Sequence, residues 1–185
     1  MVYLYLLVSY FIGTIMTAYV VMKVFRGEDI RSQGSGNVGA RNAGRLLGKK
    51  GFLLTAIGDV SKGILVVLGA KFLDFSLEVQ TLALIAVVVG HIWPITLGFK
   101  GGKGIATATG GLLVLAYEPF LIFALIFLLL LAILRSFTLA GMTAFLALPF
   151  VYWFLDYSIL QSGLIFIVIG LLLYAHRENL KERIN

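Results

Sequence analysis

The stretch MVYLYLLVSYFIGTIMTAYVVM, residues 1 to 22, is apolar almost throughout and long enough to cross a bilayer. A helix rises about 1.5 Å per residue, so about 20 apolar residues span the hydrocarbon core. The stretch lacks a basic amino-terminal region and a small-residue cleavage site. It therefore predicts a membrane span that stays in the mature chain, not a signal peptide.

The rest of the chain has the composition of an integral membrane protein. Of its 185 residues, 60% are hydrophobic and only 13% are charged, and the mean hydropathy is +1.00. A soluble domain of this size needs a more charged surface. The absence of cysteine excludes disulfides, Cys-ligated metals and thiol nucleophiles. With no repeat and no linker, residues 1–185 are predicted to form a single domain.

Seven apolar runs predict an all-α membrane protein with about seven transmembrane helices, some of them short. Glu118 and Pro119 separate two of the shorter runs, and we interpret this pair as a turn rather than a kink. The runs are residues 2–22, 51–72, 79–97, 104–117, 119–134, 137–155 and 158–175.

The distribution of charge predicts how these helices are oriented. If the N-terminus lies outside, every one of the 15 basic residues except Lys62 and Lys71 falls on the cytoplasmic side. Basic residues concentrate in cytoplasmic loops, so we expect an outer N-terminus and a cytoplasmic C-terminus. Asp59 and Lys62 lie inside the second run at i, i+3. They predict an ion pair, which either serves function or orients the helix.

The first cytoplasmic segment contains QGSGNVGARNAGRLLGKK, residues 33 to 50. Its glycines have the spacing of a dinucleotide-binding turn, but no strand precedes them, and the spacing does not fit a Walker A loop. Small residues and cations predict a phosphate cradle; the alternative is a solvated loop that contacts lipid headgroups. The candidate groups are Ser35, Gly36, Asn37, Gly39, Arg41, Asn42, Arg45, Lys49 and Lys50.

Two further clusters lie on the same side of the membrane. Residues 90–111, GHIWPITLGFKGGKGIATATGG, place lysines and glycines ahead of a helix N-terminus, which favours phosphate. His91 in this stretch is either functional or an interfacial anchor. On the C-terminal helix, His176, Asn179 and Arg183 share one face, although the first two can be simple capping residues. The second cluster offers His91, Lys100, Gly102, Lys103 and Thr107.

Together the three clusters resemble the PlsY family of bacterial acylphosphate:glycerol-3-phosphate acyltransferases. The first family motif, S-G-N-P-G-A-T-N, is matched by residues 35–42, with Val38 in place of proline and Arg41 in place of threonine. The second, G-H-x-x-P…F-K-G-G-K-G-x-A-T, is matched within residues 90–107, and the third, H-x-x-N, by His176 and Asn179. The C-terminal tail is shorter than the family's.

The resemblance implies transfer of the acyl group of a long-chain acyl phosphate to the 1-hydroxyl of glycerol 3-phosphate. The products are 1-acyl-glycerol 3-phosphate and inorganic phosphate, in the first acylation step of phospholipid synthesis at the bacterial cytoplasmic membrane. Ser35 and His176 are the expected catalytic residues. We expect Arg45, Lys103 and Asn179 to hold glycerol 3-phosphate, and Ser35, Asn37, the loop glycines, Lys100 and Thr107 to hold the acyl phosphate head.

Two mechanisms fit these residues. His176, a residue type whose pKa is ordinarily about 6.5, can accept the hydroxyl proton during direct transfer, or the departing phosphate can take it. Alternatively, Ser35 forms an acyl-enzyme with His176 as base. The H-x-x-x-x-D signature of other glycerolipid acyltransferases is absent, since Thr96 and Lys181 occupy the position five residues after each histidine.

Other function classes fit the sequence less well. A phosphate-ester transporter places its binding groups near the bilayer midplane, whereas only Asp59 and Lys62 lie deep in a run. A lipid-binding scaffold without turnover is a further alternative. We expect no metal, no cofactor and no nucleic-acid partner, and seven spans can work without an oligomer.

Overall fold

The computed structural model describes the backbone of residues 1–184 and the side chains of residues 1–177. This part of the chain forms α-helices and two short 3-10 turns, Ile30–Ser32 and Ile95–Leu97. The helices are α1 (Val2–Gly13), α2 (Thr17–Arg26), α3 (Ala40–Phe72), α4 (Leu77–Ile92), α5 (Ile105–Leu115), α6 (Tyr117–Leu134), α7 (Phe137–Phe154) and α8 (Ile159–Ile184).

Six segments of the described chain are long and apolar enough to cross a membrane, and α5 is a shorter apolar helix beside them. This confirms the prediction of an all-helical membrane protein with about seven spans, some short. The α8 helix continues past its apolar part to Ile184, as expected for the C-terminal basic segment.

The first predicted span, residues 2–22, is wrong in one respect, because it is broken. Helix α1 ends at Gly13 and α2 begins at Thr17, with Met16 in an extended conformation between them. A break leaves carbonyl groups without helical partners, which is costly inside a bilayer unless other groups bind them. Lys62 of α3 supplies these bonds by donating to Gly13 O and Ile15 O at 3.1 and 3.0 Å.

Helix α3 begins earlier than the predicted run 51–72 and contains a kink. Gly48 has φ 66° and ψ −160°, a conformation that is open mainly to glycine. The kink separates a short segment, which starts at Ala40 and carries cations, from the long apolar segment that crosses the membrane.

The predicted break between the fourth and fifth runs is confirmed, but it lies slightly earlier than expected. Ala116 is extended, and Pro119 lies in the first turn of α6. Proline is tolerated there because the N–H groups of a first turn have no helical partner.

Two pairs of helices approach each other through glycine. A Cβ at Gly13 would overlap Val87 O of α4, and one at Gly90 would overlap Tyr10 O of α1. On the other side of the bundle, a Cβ at Gly63 would overlap Thr107 O of α5. Such small residues let membrane helices pack backbone to backbone. These crossings hold α4 close to α1 and α5 close to α3.

Candidate active site

The loop before α3, residues 33–39, is called here the first loop, and Asn42 holds it in shape. Gly34 and Gly36 have φ of 60° and 69°, so the chain turns twice in the left-handed region. The Asn42 side chain accepts from Ser35 N at 3.0 Å and donates to Gln33 O at 3.0 Å. With its amide engaged in this way, Asn42 shapes the loop, while Ser35 remains exposed.

The first loop leads directly into the N-terminus of α3. Gly39 is the N-cap residue, and no side chain caps the helix. The N–H groups of a first turn have no helical partner, and the helix dipole favours an anion beside them. Asn37 is partly exposed next to this turn, so an anion bound here meets both its amide and the helix N-terminus.

The second loop, residues 98–104, repeats the arrangement ahead of α5. Gly98 and Gly104 have φ of 62° and 80°, and Gly104 is an N-cap residue without a side-chain cap. Gly102 N donates to His91 O at 3.0 Å, which fixes the loop on the end of α4. Lys100 is exposed and Lys103 is half-buried. The second loop therefore offers another uncapped helix N-terminus flanked by two ammonium groups.

The two loops are bonded to each other. Val38 N of the first loop donates to Gly101 O of the second at 3.3 Å. Arg31 adds a bridge, because its guanidinium donates to Leu97 O at 2.9 Å and pairs with Asp29 at 2.6 Å. The hydrogen bond from Arg31 lowers the pKa of Asp29 to about 2. The candidate site therefore contains two adjoining turns, each of which leads into a helix N-terminus without a side-chain cap.

His176 of α8 lies beside the second loop. The Leu172 side chain, one turn earlier, would be 3.1 Å from a Cβ at Gly104, and Lys103 is close enough for its charge to act on His176. His176 Nδ1 lies 2.9 Å from Leu172 O. A carbonyl only accepts hydrogen bonds, so Nδ1 carries the proton and Nε2 of the neutral ring is left as an acceptor.

His91 and Thr107 lie beneath the second loop and not at its surface. Both are buried, and the Thr107 hydroxyl is 3.4 Å from His91 Nδ1. The opposite edge of the ring lies against Gly102, where a Cβ would overlap Nε2. The side chain of His91 therefore supports the loop from below, and Thr107 has only its backbone N–H at the N-terminus of α5 to offer an anion.

A cationic groove of about 470 Å³ runs along α3 next to the first loop. Arg41, Arg45 and Lys49 line it at i, i+4 and i+8, and Phe52 and Leu53 form its apolar end. The Arg41 guanidinium also donates to the Thr138 hydroxyl at the start of α7, at 3.3 Å. The groove thus combines positive charge near the loop with an apolar continuation along the span.

The structure brings most of the predicted residues together. The first loop with Ser35, Gly36, Asn37 and Gly39 adjoins the second with Lys100, Gly102 and Lys103, and His176 lies beside them. The side chain of Asn179 lies outside the described residues. Among the side chains described, no three His, Asp or Glu residues converge as a metal site would require.

The sequence did not reveal the residues that support the two loops through hydrogen bonds. Asn42 was interpreted as a donor to the ligand, yet both ends of its amide bind the loop. Arg31, which precedes the first loop, also joins the two connecting segments, because its guanidinium donates to Leu97 O. The one available signal for Asn42 is its place in the first turn of α3, where an asparagine side chain can bond the preceding loop.

Comparison with known proteins agrees with this geometry. A family model described as glycerol-3-phosphate acyltransferase matches residues 3–185. The chain belongs to the glycerol-3-phosphate acyltransferase family. Members named glycerol-3-phosphate acyltransferase 1 include one from Desulfitobacterium hafniense, 45% identical over 179 residues, covering 96% of this chain and 88% of the relative. Another, from Bacillus cereus, is 44% identical over 178 residues and covers 96% and 98%.

Solved structures of a family member share the fold. The crystal structure of PlsY (YgiH), an integral membrane glycerol 3-phosphate acyltransferase, in its glycerol 3-phosphate form has a TM-score of 0.90 at 33% identity. It covers 99% of this chain and 92% of that one. The lysophosphatidic acid form has a TM-score of 0.87 at 31% identity, with coverage of 99% and 91%. The resemblance to the PlsY family that the motifs indicate is thereby confirmed.

Proposed function

We propose that this chain transfers the acyl group of a long-chain acyl phosphate to the 1-hydroxyl of glycerol 3-phosphate, releasing inorganic phosphate. The observation that carries the proposal is the pair of adjoining, uncapped helix N-termini joined through Val38 N and Gly101 O. Both substrates carry a phosphate group, so the reaction needs two neighbouring anion sites. The family to which the chain belongs acylates glycerol 3-phosphate, which agrees with this arrangement.

The chemistry needs little covalent help from the protein. The oxygen of the 1-hydroxyl attacks the acyl carbon, the bond from that carbon to the phosphate oxygen breaks, and phosphate leaves with the electron pair. Acyl phosphate is already an activated anhydride. Positioning the hydroxyl and neutralising the departing phosphate therefore lower the barrier most.

The predicted residues divide between the two substrates as follows. Arg45, Lys103 and Asn179 hold glycerol 3-phosphate. The acyl phosphate head is held by Ser35 and Asn37, by the backbone around Gly36, Gly39 and Gly102, by Lys100, and by the N–H of Thr107, with His91 supporting the second loop. The apolar end of the groove along α3 suits the neighbourhood of an acyl chain.

His176 is the proposed proton acceptor. With Nδ1 donating to Leu172 O, Nε2 can receive the proton of the attacking hydroxyl during direct transfer. The departing phosphate is the other acceptor for the same proton. In the acyl-enzyme alternative, Ser35 takes the acyl group first and passes it to glycerol 3-phosphate in a second step. We favour direct transfer, because the acyl phosphate needs no further activation.

The proposed location is the bacterial cytoplasmic membrane, with the N-terminus outside and both loops on the cytoplasmic side. The basic residues of the first loop, the second loop and the C-terminal helix support this orientation. Glycerol 3-phosphate then arrives from the cytoplasm and the acyl phosphate from the bilayer. A single copy of the chain carries all the proposed groups.

A donor comparison with a serine variant tests the proposal. Purified protein is given glycerol 3-phosphate with palmitoyl phosphate, acyl-CoA or acyl carrier protein, and lysophosphatidate and phosphate are measured. We expect product from palmitoyl phosphate alone, lost in Ser35→Ala. Ser32→Ala is the matched control, since the Ser32 hydroxyl is exposed and bonds Asp29 O outside the loop. No product from any donor contradicts the proposal, and full activity in Ser35→Ala contradicts the role of the first loop.

A further inference from the structure

A buried polar cluster lies between three helices, just below the second loop. It consists of Asp59 and Lys62 on α3, His91 on α4 and Thr107 on α5, which are 2%, 5%, 3% and 0% exposed. Ionised groups are costly within a membrane span and are almost always paired there. The predicted ion pair is confirmed, with Lys62 Nζ 3.3 Å from Asp59 Oδ1. The pair has no part in the proposed chemistry.

One end of the cluster holds the break in the first span. The Lys62 ammonium donates to Gly13 O and Ile15 O, the carbonyl groups released where α1 ends. A cation also suits the negative end of that helix dipole. The position of the α1 terminus is therefore tied to one side chain of α3.

The other end of the cluster lies under the second loop. Asp59 Oδ1 is 3.7 Å from His91 Nδ1, and the same nitrogen is 3.4 Å from the Thr107 hydroxyl. His91 then contacts Gly102 twice, through its carbonyl, which accepts from Gly102 N, and through the ring edge against the glycine Cα. A chain of direct contacts runs from the α1 break to the phosphate-binding turn.

The geometry points to Asp59 and Lys62 as positioning residues for substrate binding. Asp59 of the pair contacts His91, and His91 supports the second loop, which carries the Lys103 proposed to hold glycerol 3-phosphate. This inference rests on the proposed function for the identity of the bound phosphate. A buried ion pair is often replaceable by apolar residues with no loss of stability. What the charged pair adds here is a continuous set of contacts between the helix break and the loop.

The test replaces both charges together. Asp59→Asn with Lys62→Met keeps the side-chain volumes similar and leaves no unpaired charge. It also removes the bonds to Gly13 O and Ile15 O, so a lower Tm is expected and KM decides the test. The matched control is Thr81→Val with Gln161→Leu. It removes another buried polar pair, in which Gln161 of α8 donates to the Thr81 hydroxyl near the start of α4 at 2.8 Å. The readouts are the Tm in detergent, kcat with palmitoyl phosphate, KM for glycerol 3-phosphate, and the Tm increase that glycerol 3-phosphate produces without turnover.

We expect the charge-free pair to stay folded and to raise KM for glycerol 3-phosphate at least tenfold, with kcat changed less than threefold and the ligand-induced Tm increase reduced. The control should keep the wild-type KM. A purely structural role lowers Tm and the active fraction but leaves KM unchanged, and that result overturns the inference. If wild type binds glycerol 3-phosphate but makes no product, the proposed function fails while the binding readout still tests the pair.

If the Asp59→Asn, Lys62→Met double variant does not fold, a second variant tests the same inference. His91→Gln changes no formal charge and cuts the link between the ion pair and Gly102. It should raise KM for glycerol 3-phosphate by a similar factor. A folded His91→Gln protein with the wild-type KM overturns the inference.

Discussion

Gly102→Ala tests whether the backbone of the second loop holds a substrate phosphate. A Cβ here would overlap Nε2 of His91 and lie 2.7 Å from Val38 O, whereas ordinary contact begins at 3.4 Å. His91 is 3% exposed, and its tightly packed surroundings leave it no room to swing aside. The loop itself must therefore shift, by at least about 0.7 Å.

A shift of that size lengthens the 3.0 Å bond from Gly102 N to His91 O and turns the N–H groups of the loop away from the phosphate. A hydrogen bond to a charged group contributes about 1.5–3 kcal/mol. Losing one such bond lowers kcat/KM by about 10- to 150-fold.

The assay measures lysophosphatidate formed over a range of palmitoyl phosphate concentrations with glycerol 3-phosphate in excess, because the backbone around Gly102 is assigned to the acyl phosphate head. Gly163→Ala on α8 is the control, because a Cβ there meets nothing within 4 Å. We expect it to match wild type. If folded Gly102→Ala keeps kcat/KM within twofold of wild type, the backbone of the second loop does not hold a phosphate.

Two further predictions concern the links between the loops. Val38→Pro removes the N–H that donates to Gly101 O and introduces the residue that the family motif has at this position. The variant should therefore stay active, with KM for glycerol 3-phosphate raised by no more than the roughly 2- to 12-fold that one neutral hydrogen bond accounts for. Asp29→Asn removes the partner of Arg31. Because the hydrogen bond from Arg31 lowers the pKa of Asp29 to about 2, the pair stabilises the fold fully above the ordinary pKa of 3.8. That stabilisation is lost as the pH falls towards 2, so the variant should lower Tm at pH 7, with a smaller difference from wild type in acid.

Each of these two variants has a matched control variant at the same or a neighbouring position. Val38→Ala keeps the N–H and should keep the wild-type KM; equal KM values for the alanine and proline variants would show that the bond between the loops is unimportant. Glu28→Gln removes the exposed neighbouring carboxylate. A Tm difference for Asp29→Asn that stays constant from pH 7 to pH 3 contradicts the role of the ion pair.

The spans were predictable because run length and the absence of charge are local properties of the sequence. The break between Gly13 and Thr17 was not, since the run 2–22 contains no proline and no charged residue. What permits the break is Lys62, on a helix that follows much later in the chain. Long-range compensation of this kind leaves no local pattern.

The candidate site could be predicted from the sequence about as far as the membrane spans could. Glycines and cations ahead of helices predicted two turns suited to anions, and the structure places those turns side by side. The supporting roles of Asn42 and His91 were not predictable, because each depends on which atoms a buried side chain contacts. A histidine next to a lysine-rich loop has the same sequence signature whether it faces the ligand or lies beneath the loop.

The hydrogen bond from Val38 N to Gly101 O joins the two loops into one continuous side of the candidate site, although the loops lie far apart in the chain. If the two loops hold the two substrate phosphates as proposed, a substitution in either loop should change the kinetic constants for both the acyl donor and the acceptor. For the same reason, a substitution in one loop can compensate for a harmful substitution in the other. Over evolutionary time the two segments should vary as a pair.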